Sequence, residues 1–304
     1  MRLLSGNKKG CEFIKMNFIK YYLKRLIRPL FNFYRWIIIK TDKKLFATLF
    51  NIKSILIKSS ARLSWDKESF IVTDNEFPSF KHRIRHQIQC NDAYEFGIKR
   101  RLDNLSASYF LDKINFSDGD IFVDCGANVG DLKCWFNFNG IQVDYIGFEP
   151  SPVEFQCLYE NVSPSTAHNL ALWNENTEIK LYISSQGADS SLIEPKSYEE
   201  ITVINGVRLD SYIDTKIKCL KLEAEGAEPE ILQGLGEKIK LVEFVTADLG
   251  FERGISCEST LVPVTNFLLK NNFELIDLDY NRVSALYRNN LLFSENKHSY
   301  GNQY

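Results

Sequence analysis

The sequence predicts an α/β fold in which a mostly parallel sheet carries helices on both faces. Short apolar runs, of the kind that parallel sheets bury, recur along the chain and alternate with stretches of helical periodicity. The runs are Ile121–Asp124, Val143–Phe148, Asn169–Leu172, Cys219–Leu222, Leu241–Ala247 and Phe273–Leu278. A last run, Val283–Tyr287, follows the polar turn Asp279–Arg282, and this spacing predicts a closing β-hairpin.

Helices are predicted between these runs, at Val153–Asn161, Glu230–Leu235 and Leu261–Leu269. The first has the clearest start, because Ser151 can cap it and Pro152 suits its first position. Before the sheet, Ser69–Thr73 reads as a short strand. Ala93–Leu111 places its apolar residues on one helical face and reads as one helix.

The charge distribution divides the chain near Trp65. Residues 1–65 contain fifteen Lys and Arg but two acids, a net charge of +13, whereas the remainder has a net charge of −15. We therefore expect a basic amphipathic helical appendage at residues 1–64 and a cap at 65–115. The α/β domain is expected at 116–290, and a flexible C-terminal tail at 291–304.

The basic segment over residues 11–58 interleaves aromatic and cationic side chains, such as Phe18, Trp36, Lys20 and Arg28. This pattern suits a helix lying in the headgroup layer of an anionic membrane. It equally suits a helical appendage packed on the acidic domain, and the sequence leaves both interpretations open. Lysines and arginines interrupt every apolar run before a secretory signal or a membrane span of roughly 18 apolar residues could form.

Cysteine usage indicates the compartment. The seven cysteines are scattered, without a C-x-x-C pair and without a His/Cys cluster at metal-ligand spacing. We therefore expect a reducing, cytoplasmic location, with peripheral attachment to the inner face of the membrane as an option, and no metal site.

The loop after the run Ile121–Asp124 is the first candidate ligand site. It reads D-x-G-x-x-x-G, with Asp124, Gly126 and Gly130 at the marked positions and a helix start beyond. In such sheets ligands bind beyond the carboxyl ends of the strands, where glycine permits a close backbone approach. A dinucleotide fingerprint would need a glycine at Asn128, so a pyrophosphate is disfavoured. The alternative is an ordinary strand-to-helix turn.

Glu149 is the second candidate. It ends the next run, 25 residues after Asp124. There a carboxylate can accept two hydrogen bonds from the vicinal hydroxyls of a ribose, which indicates an adenosine-like ligand. The alternative is that Glu149 caps the helix that begins near Pro152.

The third candidate is a group of acids after the run Cys219–Leu222. Crowded carboxylates at a strand's end cost energy unless cations or hydrogen bonds compensate them, and this suggests a site at Glu223 and Glu225. Glu228 and Glu230 also suit the first turn of a helix, where the helix dipole favours negative charge.

Taken together, the ordered motifs resemble those of the FkbM-type methyltransferases. They are FVDCGANVG from Phe122, GFEP from Gly147, Leu209-Asp210, and KLEAEGAE from Lys221. The resemblance covers about Tyr94 to Tyr287. It implies a class I, Rossmann-like fold with seven strands, the last antiparallel, and S-adenosylmethionine as cofactor.

The resemblance also implies site residues. Asp124, Gly126, Ala127, Asn128 and Gly130 would surround the methionine part, Glu149 and Pro150 the ribose, and Leu170 and Ala171 the adenine. The family usually has Asp where this chain has Glu223, so this carboxylate carries one additional methylene.

The activity that the resemblance implies is O-methylation, often of a sugar hydroxyl in a glycan, polysaccharide or secondary metabolite. A hydroxyl acceptor calls for alignment and a base, and Glu223, Glu225 and His168 are the candidates. The acidic domain argues against nucleic acid as partner. A non-catalytic module of the same fold and a nucleotide-dependent oxidoreductase are the alternatives, and the oligomeric state stays open.

Overall fold

The computed structural model describes residues 32–184 and 190–293. Its helices are α1 (residues 32–40), α2 (Lys43–Leu56), α3 (Gln87–Tyr94), α4 (Ile98–Ser108), α5 (Asp131–Phe138), α6 (Pro152–Val162), α7 (Glu228–Leu235) and α8 (Leu261–Lys270). Its strands are β1 (Ala61–Trp65), β2 (Phe70–Asp74), β3 (Lys81–Ile84), β4 (Ile121–Cys125), β5 (Asp144–Phe148), β6 (Thr166–His168), β7 (Ala171–Trp173), β8 (Thr177–Ile183), β9 (Glu200–Arg208), β10 (Ile217–Leu222), β11 (Val242–Asp248), β12 (Phe251–Arg253), β13 (Glu258–Ser259), β14 (Phe273–Asp279) and β15 (Ser284–Asn289). Residues 11–31 of the predicted membrane-contact segment and 294–304 of the predicted tail lie outside the described residues.

A seven-stranded sheet forms the centre, in the order β14-β15-β11-β10-β4-β5-β6. The pairs from β11 to β6 are parallel, whereas β15 runs antiparallel to both of its neighbours. Both the predicted Rossmann-like fold class and the closing hairpin are confirmed.

The sheet separates two apolar cores. Phe122 on β4 packs in a cluster with Phe136 and Leu158, whereas the adjacent Val123 packs in another cluster with Ile231 and Leu268. Successive side chains of a strand point to opposite faces, so these clusters lie on opposite faces of the sheet. Burial on both faces explains why the central strands appear in the sequence as continuous apolar runs.

The third strand of the sheet differs from the prediction. The sequence predicts Asn169–Leu172 at this place, but β6, which ends at His168, pairs with β5, while β7 pairs with β9 in a separate three-stranded sheet. The prediction is wrong because β6 is a partly exposed edge strand and has no apolar run. The chain leaves the large sheet at Asn169, whose side-chain amide donates to the backbone oxygens of Glu149 and Pro150 at 2.9 and 3.0 Å.

The segment before the sheet also differs from the prediction. The single helix expected at Ala93–Leu111 is broken at Gly97, whose φ of 93° ends α3 and begins α4. The strand predicted at Ser69–Thr73 is confirmed as β2.

The predicted boundary after residue 64 falls inside β1. Moreover, Phe46 and Phe50 of α2 share one apolar core with Phe70 and Ile84 of the antiparallel sheet β1-β2-β3. A division at residue 64 therefore cuts a continuous packing unit, because the buried face of α2 belongs to the cap.

Candidate active site

A cavity of about 360 Å³ opens at the carboxyl ends of β4, β5 and β10. Cavities of about 300 to 1,000 Å³ commonly bind small ligands. Its wall includes these residues from the sequence-predicted set: Asp124, Gly126, Ala127, Asn128, Glu149, Pro150, Leu170, Glu223 and Glu225. The cap contributes further wall from α3 and α4, and α1 contributes Arg35.

The loop after β4 comes very close to β10. Gly126 has φ +75°, and a Cβ built there would lie 1.7 Å from the backbone oxygen of Glu223. The backbone N–H groups of Gly126 and Ala127 both donate to the carbonyl of Phe148, at 3.0 and 2.9 Å. Glycine is therefore required at position 126 by both backbone angle and space.

Gly126→Ala is expected to lower the free energy of unfolding by at least about 3 kcal/mol. The added Cβ would clash with the backbone of Glu223, and alanine would also be strained by the positive φ at this position. Gly119→Ala is the matched control, since Gly119 has φ +82° but nothing lies within 4 Å of the position that its Cβ would occupy. It should cost only about 1 to 2 kcal/mol. Urea unfolding of both variants measures the difference, and equal losses would contradict the close approach.

The ammonium of Lys221, on β10, contacts both β4 and the loop that follows β4. Its ammonium lies 3.0 Å from Oδ1 of buried Asp124 and donates to the carbonyl of Gly126 at 2.7 Å. Tyr145 donates to Oδ2 of Asp124 at 2.7 Å. Burial raises the pKa of Asp124, although Lys221 and Tyr145 oppose this shift. Asp124 therefore fixes the ligand-binding loop, with its charge compensated by the lysine.

Glu149 points its carboxylate toward the loop after β4. Oε2 accepts from the backbone N–H of Asn128 at 2.8 Å, and Oε1 accepts from that of Ser151 at 2.9 Å. Burial, with a contribution from the charge of Glu154, raises the pKa of Glu149 to about 8, against the effect of these two bonds. Each oxygen has a further lone pair for a ligand hydroxyl, so the carboxylate can bind a vicinal diol.

The wall beyond Glu149 is apolar. The residues that line it are Phe148, Pro150, Leu170, Leu172 and Ile231. An apolar slot next to a carboxylate with free lone pairs suits a flat aromatic base attached to a ribose.

Glu223 lies between two cations. Its Oε1 accepts from Nη2 of Arg282 at 2.7 Å, and its Oε2 lies 3.3 Å from the ammonium of Lys221. Burial alone would raise the pKa of Glu223, but Lys221, Arg282 and a hydrogen bond from Tyr109 outweigh it and lower that pKa. Glu223 is therefore an ionised, partly exposed hydrogen-bond acceptor in the wall of the cavity.

The remaining acids of the third candidate divide into two groups. Glu225 lines the cavity in a left-handed backbone conformation, with φ 50°. Glu228 is structural, because it accepts from the backbone N–H groups of Ala224 and Gly226 at 2.8 and 3.2 Å. Glu230 is outside the cavity wall and pairs with Nη2 of Arg253 at 2.7 Å.

The Methyltransferase FkbM domain family matches residues 124–278, about half of the chain and the part that carries all three acid-bearing loops. The chain belongs to this family. Membership makes the protein an S-adenosylmethionine-dependent methyltransferase, the activity class and cofactor that the sequence predicts.

The FkbM-family chain is similar to several other methyltransferases. It is 24% identical over 190 residues to Methyltransferase 1 of Beauveria bassiana (strain ARSEF 2860), covering 51% of this chain and 76% of that protein. The crystal structure of methyltransferase FkbM from Methylobacillus flagellatus KT is 19% identical with a TM-score of 0.42, over 58% of this chain and 44% of that one, less than half of its length. A putative rRNA methylase from Clostridium thermocellum is 16% identical with a TM-score of 0.37, over 60% of this chain and 94% of that one.

Three sequence-predicted residues are absent from the cavity wall: Gly130, His168 and Ala171. Gly130 contacts α6 instead, where a Cβ would lie 2.6 Å from Cγ1 of Val162. The ring of His168 stacks on Phe148 at 4.9 Å between centroids, and burial lowers the pKa of His168. A role for His168 as the catalytic base therefore has no geometric support.

The sequence prediction missed the cations and the phenol that surround Glu223. The only sequence signal for Lys221 is its position two residues before Glu223, because alternation along a strand places both side chains on one face. Tyr109 and Arg282 come from the cap and from the hairpin turn, far away in sequence. In the described part of the chain no cluster of His, Cys, Asp and Glu suits a metal ion.

Proposed function

We propose that this FkbM-family protein transfers the methyl group of S-adenosylmethionine to a hydroxyl of a sugar-containing acceptor, forming a methyl ether. The observation that carries the proposal is the ionised carboxylate of Glu223 in the wall of the cavity, paired with Lys221 and Arg282. An ionised carboxylate accepts hydrogen bonds strongly and therefore orients a hydroxyl donor.

The residues of the cavity fit the cofactor. Glu149 would accept from the ribose hydroxyls, and the apolar slot defined by Phe148, Pro150, Leu170, Leu172 and Ile231 would contact the adenine. The loop after β4, compressed against β10 at Gly126, would contact the methionine part. When bound, S-adenosylmethionine supplies an electrophilic methyl group on a sulfonium sulfur.

In the proposed transfer, the acceptor oxygen would take the methyl group that the bound cofactor supplies, and the electron pair of the broken carbon–sulfur bond would stay on sulfur. The oxygen becomes acidic as it takes the methyl group, so its proton passes to Glu223 or to water without needing a strong base. The lowered pKa of Glu223 suits this role, because the carboxylate is ionised before the acceptor arrives. Its main contribution is alignment, which can supply much of the rate enhancement.

The carboxylates near Glu223 suit an acceptor that donates hydrogen bonds from hydroxyl groups. Glu225 lines the cavity, and Asp248 and Glu252 lie close enough to Glu223 and to each other to raise the pKa of Glu252 to about 7, after the larger effect of burial. Sugar hydroxyls can donate hydrogen bonds to these carboxylates.

The proposal predicts that the full chain, supplied with methyl-labelled S-adenosylmethionine and a glycan extract, labels carbohydrate. The label should survive alkali, because methyl ethers resist alkaline hydrolysis and carboxyl methyl esters do not. Scintillation counting of the carbohydrate fraction before and after alkali measures this, with Glu149→Ala as the binding-deficient control. Label released by alkali, or found only in nucleic acid or protein, would contradict a sugar hydroxyl as acceptor.

We further propose that α1 and α2 contact an anionic membrane at the cytoplasmic face. One face of α2 is buried in the cap, but its other face is apolar and exposed, with Leu49 49% and Ile55 61% accessible. Lysines of α2, among them Lys43 and Lys44, are also exposed. The two interpretations left open by the sequence are therefore compatible for α2, since this helix packs through one face and presents a basic apolar face outward. None of the helices among the described residues is long and apolar enough to cross a bilayer.

The double variant Leu49→Ser, Ile55→Ser should bind anionic vesicles about tenfold more weakly than the parent chain. Val262→Ser, Leu269→Ser on α8 is the matched control, because these side chains are 67% and 51% accessible. Vesicle sedimentation measures the difference, and binding of the parent should weaken as salt rises. Equal sedimentation of the two double variants would contradict the assignment of this face.

A further inference from the structure

The cap contributes an unsatisfied polar atom to the cavity. Gln89 of α3 lines the cavity, and its side-chain nitrogen donates to Oδ1 of Asn128 at 2.8 Å. Its side-chain oxygen, Oε1, is buried and has no hydrogen-bond partner among the described residues. Gln89 precedes residue 124, so it lies outside the part of the chain that matches the family.

An amide oxygen without a partner is costly when it is buried. Nearly all buried polar atoms in folded proteins have a partner, and leaving one unpaired costs about 1 to 3 kcal/mol. Because Gln89 lies on the wall of the cavity, a bound ligand can supply the missing donor. The bond to Asn128 fixes the amide, so the orientation of Oε1 is set before the ligand arrives.

The position of Gln89 indicates which part of the cofactor it meets. Asn128 bonds Gln89 through its side chain and Glu149 through its backbone N–H, so Asn128 lies between Gln89 and the carboxylate of Glu149. The neighbouring wall is charged, because Asp131 lines it and accepts from Nε of Arg101 at 2.9 Å. With the adenine in the apolar slot formed by Phe148 and its neighbours, the amino-acid part of the cofactor extends toward this charged end.

The amino-acid part of the cofactor carries two charged groups that differ in their hydrogen bonding. Its carboxylate only accepts hydrogen bonds and its ammonium only donates them. The oxygen of Gln89 therefore matches the ammonium, whereas the carboxylate matches the N–H groups of Arg101 that its ion pair with Asp131 does not use.

We propose that Gln89 accepts a hydrogen bond from the α-ammonium group of S-adenosylmethionine, so that the cap completes the cofactor site from outside the family domain. This inference rests on the proposed cofactor site at Glu149. It makes α3 a part of the binding site as well as of the fold.

Calorimetry with two ligands tests the contact. S-adenosylhomocysteine carries the ammonium and the carboxylate, whereas 5′-methylthioadenosine has the same nucleoside without either group. In the full-length protein, Gln89→Leu should weaken binding of S-adenosylhomocysteine about 10- to 100-fold, as expected for a lost hydrogen bond to a charged group. Binding of 5′-methylthioadenosine should change less than about threefold.

Two further variants separate this contact from a structural effect. Gln89→Glu retains an acceptor, so it should restore the preference for S-adenosylhomocysteine that Gln89→Leu loses. Gln87→Leu is the matched control on the same helix, because Gln87 donates to the carbonyls of Ile38 and Thr41 at 2.8 and 2.9 Å and does not line the cavity. It should leave the ratio of the two affinities unchanged.

The outcomes are distinguishable. If Gln89→Leu loses the same affinity for both ligands, the ammonium contact is overturned. If it loses affinity for neither ligand, the contact is also overturned, because a water molecule would then be the partner of Oε1. Failure of the unaltered protein to bind S-adenosylhomocysteine would overturn the cofactor site at Glu149 instead.

Discussion

Glu149→Ala is expected to weaken binding of S-adenosylmethionine by about 1.5 to 3 kcal/mol, roughly 10- to 150-fold in Kd. The loss follows from the removal of charge-assisted hydrogen bonds to the ribose, for which the carboxylate is already fixed by Asn128 and Ser151. Titration calorimetry with S-adenosylhomocysteine measures it.

Glu243→Ala is a matched control for this change. Glu243 is 6% accessible and Glu149 7%, but Glu243 pairs with Lys216 and Lys218 at the opposite end of β11 from the cavity. Its loss should lower stability and leave the affinity unchanged. A change of less than a few tenths of a kcal/mol in Glu149→Ala would place the ribose elsewhere.

The same carboxylate should make cofactor affinity depend on pH. Burial raises the pKa of Glu149 to about 8 in the free protein, so at pH 7 most of this group is protonated. Ribose hydroxyls donate to the ionised form, and binding therefore lowers that pKa and releases a proton. Affinity should rise as the pH increases toward 8 and level off above it, and Glu149→Gln should abolish this dependence. Calorimetry in buffers of different ionisation enthalpy measures proton release, and a flat profile in the parent would contradict the argument.

Glu223→Gln is expected to lower turnover by about 10²-fold or more while Kd for the cofactor changes by less than about threefold. The amide retains the shape of the side chain but loses the charge that pairs with Lys221 and Arg282 and that orients the acceptor. Single-turnover assays with labelled cofactor measure the rate, and calorimetry measures the affinity.

Glu230→Gln is the control for Glu223→Gln. Glu230 is also an ion-paired glutamate near the carboxyl end of β10, but it contacts Arg253 and lies outside the cavity wall. Its turnover should stay close to that of the parent. If Glu223→Gln loses thermal stability in proportion to its activity, the role of Glu223 is structural.

Strands buried on both faces could be predicted from the sequence, and half-exposed ones could not. β4 and β10 appear as apolar runs because nearly all of their side chains are buried. β8 and β9 carry mostly exposed or partly exposed residues, so they leave no such run and were missed. The break at Gly97 was missed because a single glycine within a helical pattern is compatible with a continuous helix.

In the site, too, some residues could be predicted from the sequence and others could not. Acids that follow central strands, such as Asp124, Glu149 and Glu223, could be located because the carboxyl ends of parallel strands meet at one edge. Their partners could not, since Tyr109 and Arg282 reach Glu223 from distant segments whose arrangement depends on tertiary packing. The orphaned oxygen of Gln89 has no sequence signal at all, because it is defined only by the atoms around it.

Lys221 forms ion pairs with two different carboxylates of the cavity. One ammonium pairs with Asp124, at the proposed cofactor loop, and with Glu223, which is proposed to orient the acceptor. In the proposed site, a change in the charge of either carboxylate would change how strongly Lys221 attracts the other, so we expect the free energies of cofactor and acceptor binding to be linked reciprocally. Substitutions of the two carboxylates should therefore be non-additive in double-mutant cycles, and the effect of neutralising Glu223 on cofactor affinity should stay within the limit of about threefold expected for Glu223→Gln.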